Sequence, residues 1–380
     1  MAEPFQIPGL AKLREEIDEV DSALLTLLNR RAGLSLAVGQ AKRQVGGRVF
    51  DPARETLLLE RLAGRNEGPL KAEHVTSIWR AILSASRSLQ KNCSVAYLGP
   101  EGTFSYFAAV DFMGEAMEFT PCRDFNEIFR GIMLKQFDFG VIPLENSIHG
   151  TIAQSFDLFS EYNVTIQAEF YSRISNSLLS REREPEQVKT VYSHPQPLGQ
   201  CAAWLRTHLP QAQLVSVDST AAAAWKASTE EGAASIGHRS MAEKLGMNCL
   251  ACDIQDDASN WTRFVLVSAG ENSAVPRRAP ADAPFKSSLL FTVPNRAGTL
   301  ASVLNVFTRH GVNMTKLESR PLKGAACWDY IFFADVECDL SSPECTELVN
   351  DLRAGCSFVR VLGCYPEGPR LDSTANTTGF

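Results

Sequence analysis

The chain lacks the marks of several function classes. It has no surplus of positive charge: 37 basic residues face 44 acidic ones, a net charge of -7. That leaves no basic face for nucleic acid. No apolar run approaches the roughly 20 residues that a membrane-spanning helix needs, and the N-terminus has no signal-peptide core. The expectation is a cytoplasmic protein without a membrane or nucleic-acid partner. Histidine is scarce, at six residues, and none has the H-E-x-x-H spacing of a zinc site. The ten cysteines are expected as reduced thiols in such a compartment. Cys249-Leu250-Ala251-Cys252 is a lone C-x-x-C without a second pair, and it reads as two buried small residues. No feature calls for a metal or an organic cofactor. What is present is ordinary globular composition, 44% hydrophobic and 21% charged over 380 residues, enough for two or three domains.

The first ninety residues hold the sharpest signal. From Leu10 to about Val45 apolar residues recur at helical spacing, among them Leu13, Ile17, Val20, Leu24, Leu27, Leu34 and Val38. The run has no proline and stops at Gly46-Gly47, longer than most globular helices, so a bundle or a dimer is expected. Arg14, Arg31 and Lys42 share an edge with Ile17, Leu24, Leu28 and Val38. Charge on an apolar stripe is costly unless something pairs with it. At 1.5 Å per residue, Arg31 and Lys42 lie about 16 Å apart along the axis, within converging reach. Arg14 lies about 42 Å from Lys42, too far for one small ligand. Either Arg14 is structural or it serves a site in a second chain. Asp51-Pro52 reads as a cap with proline at the first helical position, putting Arg54 and Glu55 in the opening turn. The next helix carries Val75, Trp79, Ile82, Ser86 and Gln90 on one face.

Taken together, Arg14, Arg31, Lys42, Asp51, Arg54, Glu55, Ser86 and Gln90 closely resemble the all-helical chorismate mutase pattern over residues 8–91. The resemblance implies a Claisen rearrangement, which needs no nucleophile, only a clamped dicarboxylate and stabilised charge on the breaking ether oxygen. It implies that Arg14 of a partner chain and Arg31 hold the carboxylates. Lys42 and Gln90 would donate to the ether oxygen, Asp51 and Glu55 hold the ring-hydroxyl side, and Arg54 and Ser86 complete the polar shell.

From Ser94 the pattern alternates strand and helix to about Val267, which argues for an α/β architecture in two lobes. Its strand-to-helix turns are polar: 99–105, Pro143-Leu144-Glu145-Asn146-Ser147, Ser193-His194-Pro195-Gln196-Pro197 and Asp218-Ser219-Thr220. Each can present backbone N–H groups to carboxylates, or can be ordinary capping. The first lacks the G-K-[ST] ending of a Walker loop and is not G-x-G-x-x-G. With Asn260-Trp261-Thr262-Arg263-Phe264, these turns resemble prephenate dehydratase over 94–269. The resemblance implies that Thr262 acts on the leaving hydroxyl as a hydrogen-bond donor. Arg263 would orient a carboxylate or the site itself. Glu145, Asn146, Ser147, Ser193, His194, Ser219, Thr220 and Phe264 would line the cleft, with His194 alternatively a structural turn residue.

A Pro- and Ala-rich linker spans 271–285. Beyond it the pattern reads β-α-β-β-α-β, the ferredoxin-like plan. Asn295-Arg296-Ala297-Gly298-Thr299-Leu300 and Leu317-Glu318-Ser319-Arg320-Pro321 resemble the ACT domain of phenylalanine-regulated dehydratases. That implies an L-phenylalanine effector facing Gly298, Thr299 and Leu300, with Asn313 nearby and Glu318, Ser319, Arg320 and Pro321 shaping the pocket. Glu318 and Arg320 can also form a structural ion pair. The expected division is 1–92 helical domain, 94–270 two-lobed domain, 271–285 linker, 286–366 ACT domain and 367–380 flexible tail. This order resembles the bifunctional mutase–dehydratase family, implying chorismate and prephenate as substrates and a homodimer or higher homo-oligomer. Two alternatives remain: a monofunctional dehydratase whose helices only dimerise, and a bilobed ACT-containing sensor.

Overall fold

The structure, a computed structural model, describes residues 9–44, 52–90, 93–269, 284–322 and 329–372. Three helices come first: α1 (Leu10–Gln44), α2 (Pro52–Gly64) and α3 (Ala72–Gln90). α3 packs on both others. The stripe read as inward-facing on α1 is not covered within one chain. Ile17, Val20, Leu24, Leu27 and Leu34 are 50–63% exposed.

The first lobe is built from β1 (Ser94–Leu98), α4 (Phe104–Met113), β2 (Glu118–Cys122), α5 (Phe125–Met133), β3 (Phe139–Asn146), β4 (Gly150–Thr151), α6 (Ala153–Glu161) and β5 (Val164–Arg173). Spacing explains α5 simply. Phe125, Ile128, Phe129 and Ile132 stand on one face and are buried, while Asp124 accepts from Glu127 N at 2.8 Å to cap the helix. The chain then crosses to a second lobe: β6 (Ser177–Ser180), β7 (Thr190–Ser193), α7 (Pro195–Gln200), α8 (Ala202–His208), β8 (Gln213–Ser216), α9 (Thr220–Ala227), β9 (Ala233–Gly237), α10 (Ser240–Leu245) and β10 (Asn248–Ala251). It returns through β11 (Trp261–Ala269), which lies antiparallel between β3 and β5. The first sheet runs β16 (Arg370–Leu371), β5, β11, β3, β1, β2 with β4 on β3, and the second runs β10-β6-β9-β7-β8.

The C-terminal domain follows the expected order: β12 (Phe285–Thr292), α11 (Thr299–Arg309), β13 (Met314–Pro321), β14 (Tyr330–Val336), α12 (Thr346–Gly355) and β15 (Phe358–Pro366). Its sheet runs β13-β14-β12-β15. One face packs Leu289, Phe291 and Ala334 on helix residues Val303, Phe307 and Leu352. The other face joins the first lobe, with Leu290, Phe333 and Leu362 in one core with Phe156, Phe159 and Ile166. This contact is close enough to exclude side chains. A Cβ at Gly363 would collide with the Ile166 carbonyl, and one at Gly368 with the Glu169 carbonyl.

The expected tail from 367 is corrected over its first six residues. β16 (Arg370–Leu371) pairs with β5 at the edge of the first sheet, and Leu371 is buried among Phe170, Phe264 and Leu266. An apolar residue that completes an open sheet edge removes both apolar surface and unpaired backbone groups from water. The C-x-x-C expectation is corrected too. Cys252 is exposed, and its Sγ lies 2.9 Å from that of the half-buried Cys249. Among the described residues no helix is long and apolar enough to cross a membrane.

Candidate active sites

In the helical domain the structure brings Arg31 and Ser86 together. Arg31 Nη1 donates to Ser86 Oγ at 2.5 Å, and Ser86 Oγ donates to Ile82 O at 2.8 Å. Arg14 is exposed on α1 and lies about 26 Å along the axis from Arg31, so the two do not meet within one chain. Glu55 pairs with Arg87, whose other nitrogen donates to the Met113 carbonyl of the first lobe. Arg54 is exposed on α2. Lys42 and Gln90 lie on α1 and α3, but their side chains, like the whole of Asp51, fall outside the described residues. Arg87 was not singled out from sequence. Its signal is a second polar row on α3, with Ser84 one turn and Arg80 two turns away on the face toward the first lobe.

Between the lobes the focus is Asn146. It is the last residue of β3 and the register partner of Thr262 at the start of β11. Its Nδ2 reaches Asn260 Oδ1 at 2.7 Å and Thr262 Oγ1 at 3.0 Å. Its Oδ1 accepts from the backbone N–H groups of Ile148 and His149 at 3.1 and 3.0 Å. These bonds fix the amide, and both Asn146 and Thr262 are 7% exposed. Since Thr262 Oγ1 accepts from Asn146, its own proton is left to donate elsewhere. Ser147 Oγ ties this turn to the opposite strand, donating to Ser259 O at 2.8 Å and accepting from Trp261 N at 2.9 Å. His149 reaches the second lobe, with its Nε2 2.9 Å from Gln200 Nε2.

Strand alternation sends the neighbouring residues elsewhere. Arg263 and Glu145 are register partners one step along. Arg263 Nε and Nη1 donate to Glu169 Oε2 at 2.8 Å and Asp335 Oδ2 at 2.5 Å, and Nη2 to Tyr365 OH at 3.2 Å. Burial disfavours this charge, but Asp335, Tyr365 and Glu169 outweigh it and hold the guanidinium pKa well above its ordinary value. Glu145 Oε2 lies 3.0 Å from Lys316 Nζ. Both side chains are thus engaged away from the Asn146–Thr262 pair, Arg263 by Glu169, Asp335 and Tyr365 and Glu145 by Lys316. Phe264 is core, stacked on Phe170 with ring centroids 5.5 Å apart.

In the second lobe the polar turns do ordinary structural work. Ser193 is fully buried, and its Oγ donates to Ile236 O at 2.8 Å. His194 Nδ1 accepts from Gln196 N at 3.3 Å, the turn role allowed for it. Ser219 Oγ caps α9 by accepting from Ala222 N at 3.0 Å, and Thr220 is buried behind it. Asn260, not marked as a site residue by the sequence, is 1% exposed, and its Nδ2 is buried without a hydrogen-bond partner. It stands beside Thr262 in the quoted motif, and a buried amide with an open donor is a ready contact for an incoming acceptor.

In the C-terminal domain Gly298 caps α11 with φ of +84°, a conformation that favours glycine. Thr299 Oγ1 donates to Pro294 O at 2.6 Å, and Leu300 packs against the core under α11. Asn313 Nδ2 donates to Glu337 Oε2 at 2.9 Å. β13 alternates strictly. Glu318 Oε2 accepts from Thr151 Oγ1 at 3.0 Å and Arg320 Nε donates to Asp157 Oδ1 at 3.1 Å, both toward the first lobe. Ser319 and Pro321 point the other way and are exposed. The four residues of that turn therefore do not share one face.

Comparison with known proteins matches the chain to three families in succession. They are Chorismate mutase type II over residues 13–91, Prephenate dehydratase over 95–272 and ACT domain over 287–354. The bifunctional chorismate mutase/prephenate dehydratase of Aquifex aeolicus is 37% identical, covering 94% of this chain and 98% of its own. That of Neisseria gonorrhoeae is 35% identical, covering 93% and 96%. The solved prephenate dehydratase of Arthrobacter aurescens in complex with L-Phe is 29% identical, with a TM-score of 0.64 over 72% of this chain and 90% of its own. With its three domains in that order and these relatives spanning nearly its whole length, the chain belongs to the family of bifunctional chorismate mutase/prephenate dehydratases.

Proposed function

We propose that the chain runs two consecutive steps of phenylalanine biosynthesis and is inhibited by L-phenylalanine. In the first, chorismate rearranges to prephenate: one ether C–O bond breaks as one C–C bond forms within the molecule. No proton moves, so the residues only hold the dicarboxylate compact and stabilise developing charge on the ether oxygen. Arg31 and Ser86, Lys42 and Gln90, and Asp51, Arg54 and Glu55 form this site, completed by Arg14 of a second copy. The uncovered apolar stripe of α1 and the axial distance of Arg14 support an intertwined dimer of the all-α domain.

In the second step the C–C bond to the ring carboxylate breaks to release CO2, its electron pair aromatises the ring, and the ring C–O bond breaks; the departing hydroxyl takes up one proton from solvent and leaves as water, giving phenylpyruvate. A bare threonine is a poor acid. Thr262 acts instead as a hydrogen-bond donor to the departing oxygen, polarised by the bond it accepts from Asn146. Asn260 offers a further donor. The Asn146–Thr262 pair at the meeting of the two lobes is the observation that carries this assignment. The ferredoxin-like ACT domain takes L-phenylalanine, a reading supported by the Arthrobacter aurescens prephenate dehydratase having been solved in complex with L-Phe. Domain limits of 1–92, 94–270 and 286–366 fit this division.

The test supplies purified protein with chorismate and follows prephenate and phenylpyruvate, with and without L-phenylalanine. Both products are expected, the second suppressed by phenylalanine. Thr262→Ala is expected to cut phenylpyruvate formation by about a hundredfold or more, the scale of one lost transition-state donor, with the mutase rate unchanged. Retained dehydration would reject the role of Thr262.

A further inference from the structure

Arg263 lies in a closed group of charges between the dehydratase and ACT domains. Glu169 of β5 accepts from Arg263 and, at 3.0 Å, from Lys286 of β12. Asp335 of β14 accepts from Arg263 and from Ser288. Tyr365 of β15 lies 2.5 Å from Ser288 Oγ and accepts from Arg263. Arg263 and Lys286 meet Glu169 and Asp335, with Glu367 at the rim 3.7 Å from Lys286, and Arg263, Glu169, Asp335, Ser288 and Tyr365 are each 7% exposed or less. Beside this group, Lys316 of β13 holds Glu145 and Thr151 at 3.0 and 3.2 Å.

The two anchors act on one row of the sheet. Arg263 and Glu145 are cross-strand partners, and so are Thr262 and Asn146 next to them. The ACT domain therefore grips the back of the two strands whose front carries the dehydration pair. Buried charges have no water to replace a lost partner, so such a contact moves as a unit or breaks; it does not stretch. β13 and β14, which supply Lys316 and Asp335, are paired along their length, so a shift of that ribbon reaches both anchors together.

We propose that this two-strand grip is the route by which the ACT domain controls dehydration, and that Arg263 is a positioning residue for Thr262. The proposal rests on the dehydratase reading of Thr262 given above. Phenylalanine shifts the β13–β14 ribbon, the ribbon displaces Arg263 and Glu145, and the backbone step to Thr262 and Asn146 moves the donor. A misplacement of about 1 Å is worth about a hundredfold in rate.

The test uses the full-length protein with Asp335→Asn, which cuts the buried anchor, and Lys316→Met, which cuts the rim anchor. Lys316→Met keeps the experiment decisive where the buried variant does not fold. Phenylalanine binding is measured by calorimetry and phenylpyruvate formation from prephenate with and without saturating phenylalanine. Both variants are expected to bind phenylalanine within about threefold of wild type while inhibition weakens by roughly 5- to 150-fold, the range of coupling between distinct sites. Arg263→Lys is expected to lower kcat with prephenate KM nearly unchanged, because the side chain acts through Thr262. Wild-type inhibition in both anchor variants overturns the inference. So does a raised KM with normal kcat in Arg263→Lys, which would mark a substrate clamp. Wild-type protein that forms no phenylpyruvate overturns the dehydratase reading and this inference with it.

Discussion

His238 joins the two lobes through stacking rather than through charge. Its ring lies 3.9 Å from that of Phe107 on α4, and its Nδ1 accepts from Ser240 N at 3.3 Å. Burial lowers its pKa to about 4 from an ordinary 6.5. The folded value is depressed, so the contribution of this group to stability is complete above pH 6.5 and is lost as pH falls toward 4. Full protonation costs on the order of 3 kcal/mol. Urea midpoints are expected to fall over that window in the wild type and to fall less in His238→Phe, which keeps the stacking; parallel curves would sink the assignment. Residue types were readable where chemistry demands them. Asn146 and Thr262 were singled out from sequence, and they touch. Arg263, Glu145 and Phe264 were assigned with them, because a motif names neighbours without saying which face each occupies. On a strand that face changes at every step. Asn260 carries no such signal in the sequence, since an unpaired buried donor exists only once its surroundings do.

At the scale of elements, sequence periodicity served well for α1, for α11 and for the β-α-β-β-α-β order of the last domain. It failed at β16, because a two-residue strand has no period and exists only through its pairing with β5. The join between β15 and β5 was equally hidden. Gly363 reads as a neutral small residue until the Ile166 carbonyl is found against its Cα. Gly363→Ala is expected to destabilise the protein by about 1–3 kcal/mol through overpacking and to loosen the ACT domain from the first lobe. A thermal melt reports the first effect, and faster hydrogen exchange along β5 and β15 the second. An unchanged melt with native exchange would contradict the close approach.

The whole molecule leaves one large surface unexplained within a single chain. Leu24 and Leu27 of α1 are 50% and 59% exposed, in a row with Ile17, Val20 and Leu34. An apolar stripe this long marks an interface. Leu24→Glu is expected to shift the protein toward monomer in sedimentation experiments and to remove mutase activity, because Arg14 then has no site to complete. Dehydration of added prephenate is expected to persist, since its residues lie in one chain. A monomeric wild type with full mutase activity would contradict this arrangement. Sequence alone determined the domain order and the helical and α/β classes, because periodicity, turn residues and motif spacing are local properties. Tertiary structure decided direction: which face of β3 and β11 carries the Asn146–Thr262 pair, which meets the ACT domain, and that Glu318 and Arg320 turn toward the first lobe. Those choices depend on pairing register and on partners 70 or more residues distant, such as Asp335 for Arg263. No local pattern records them.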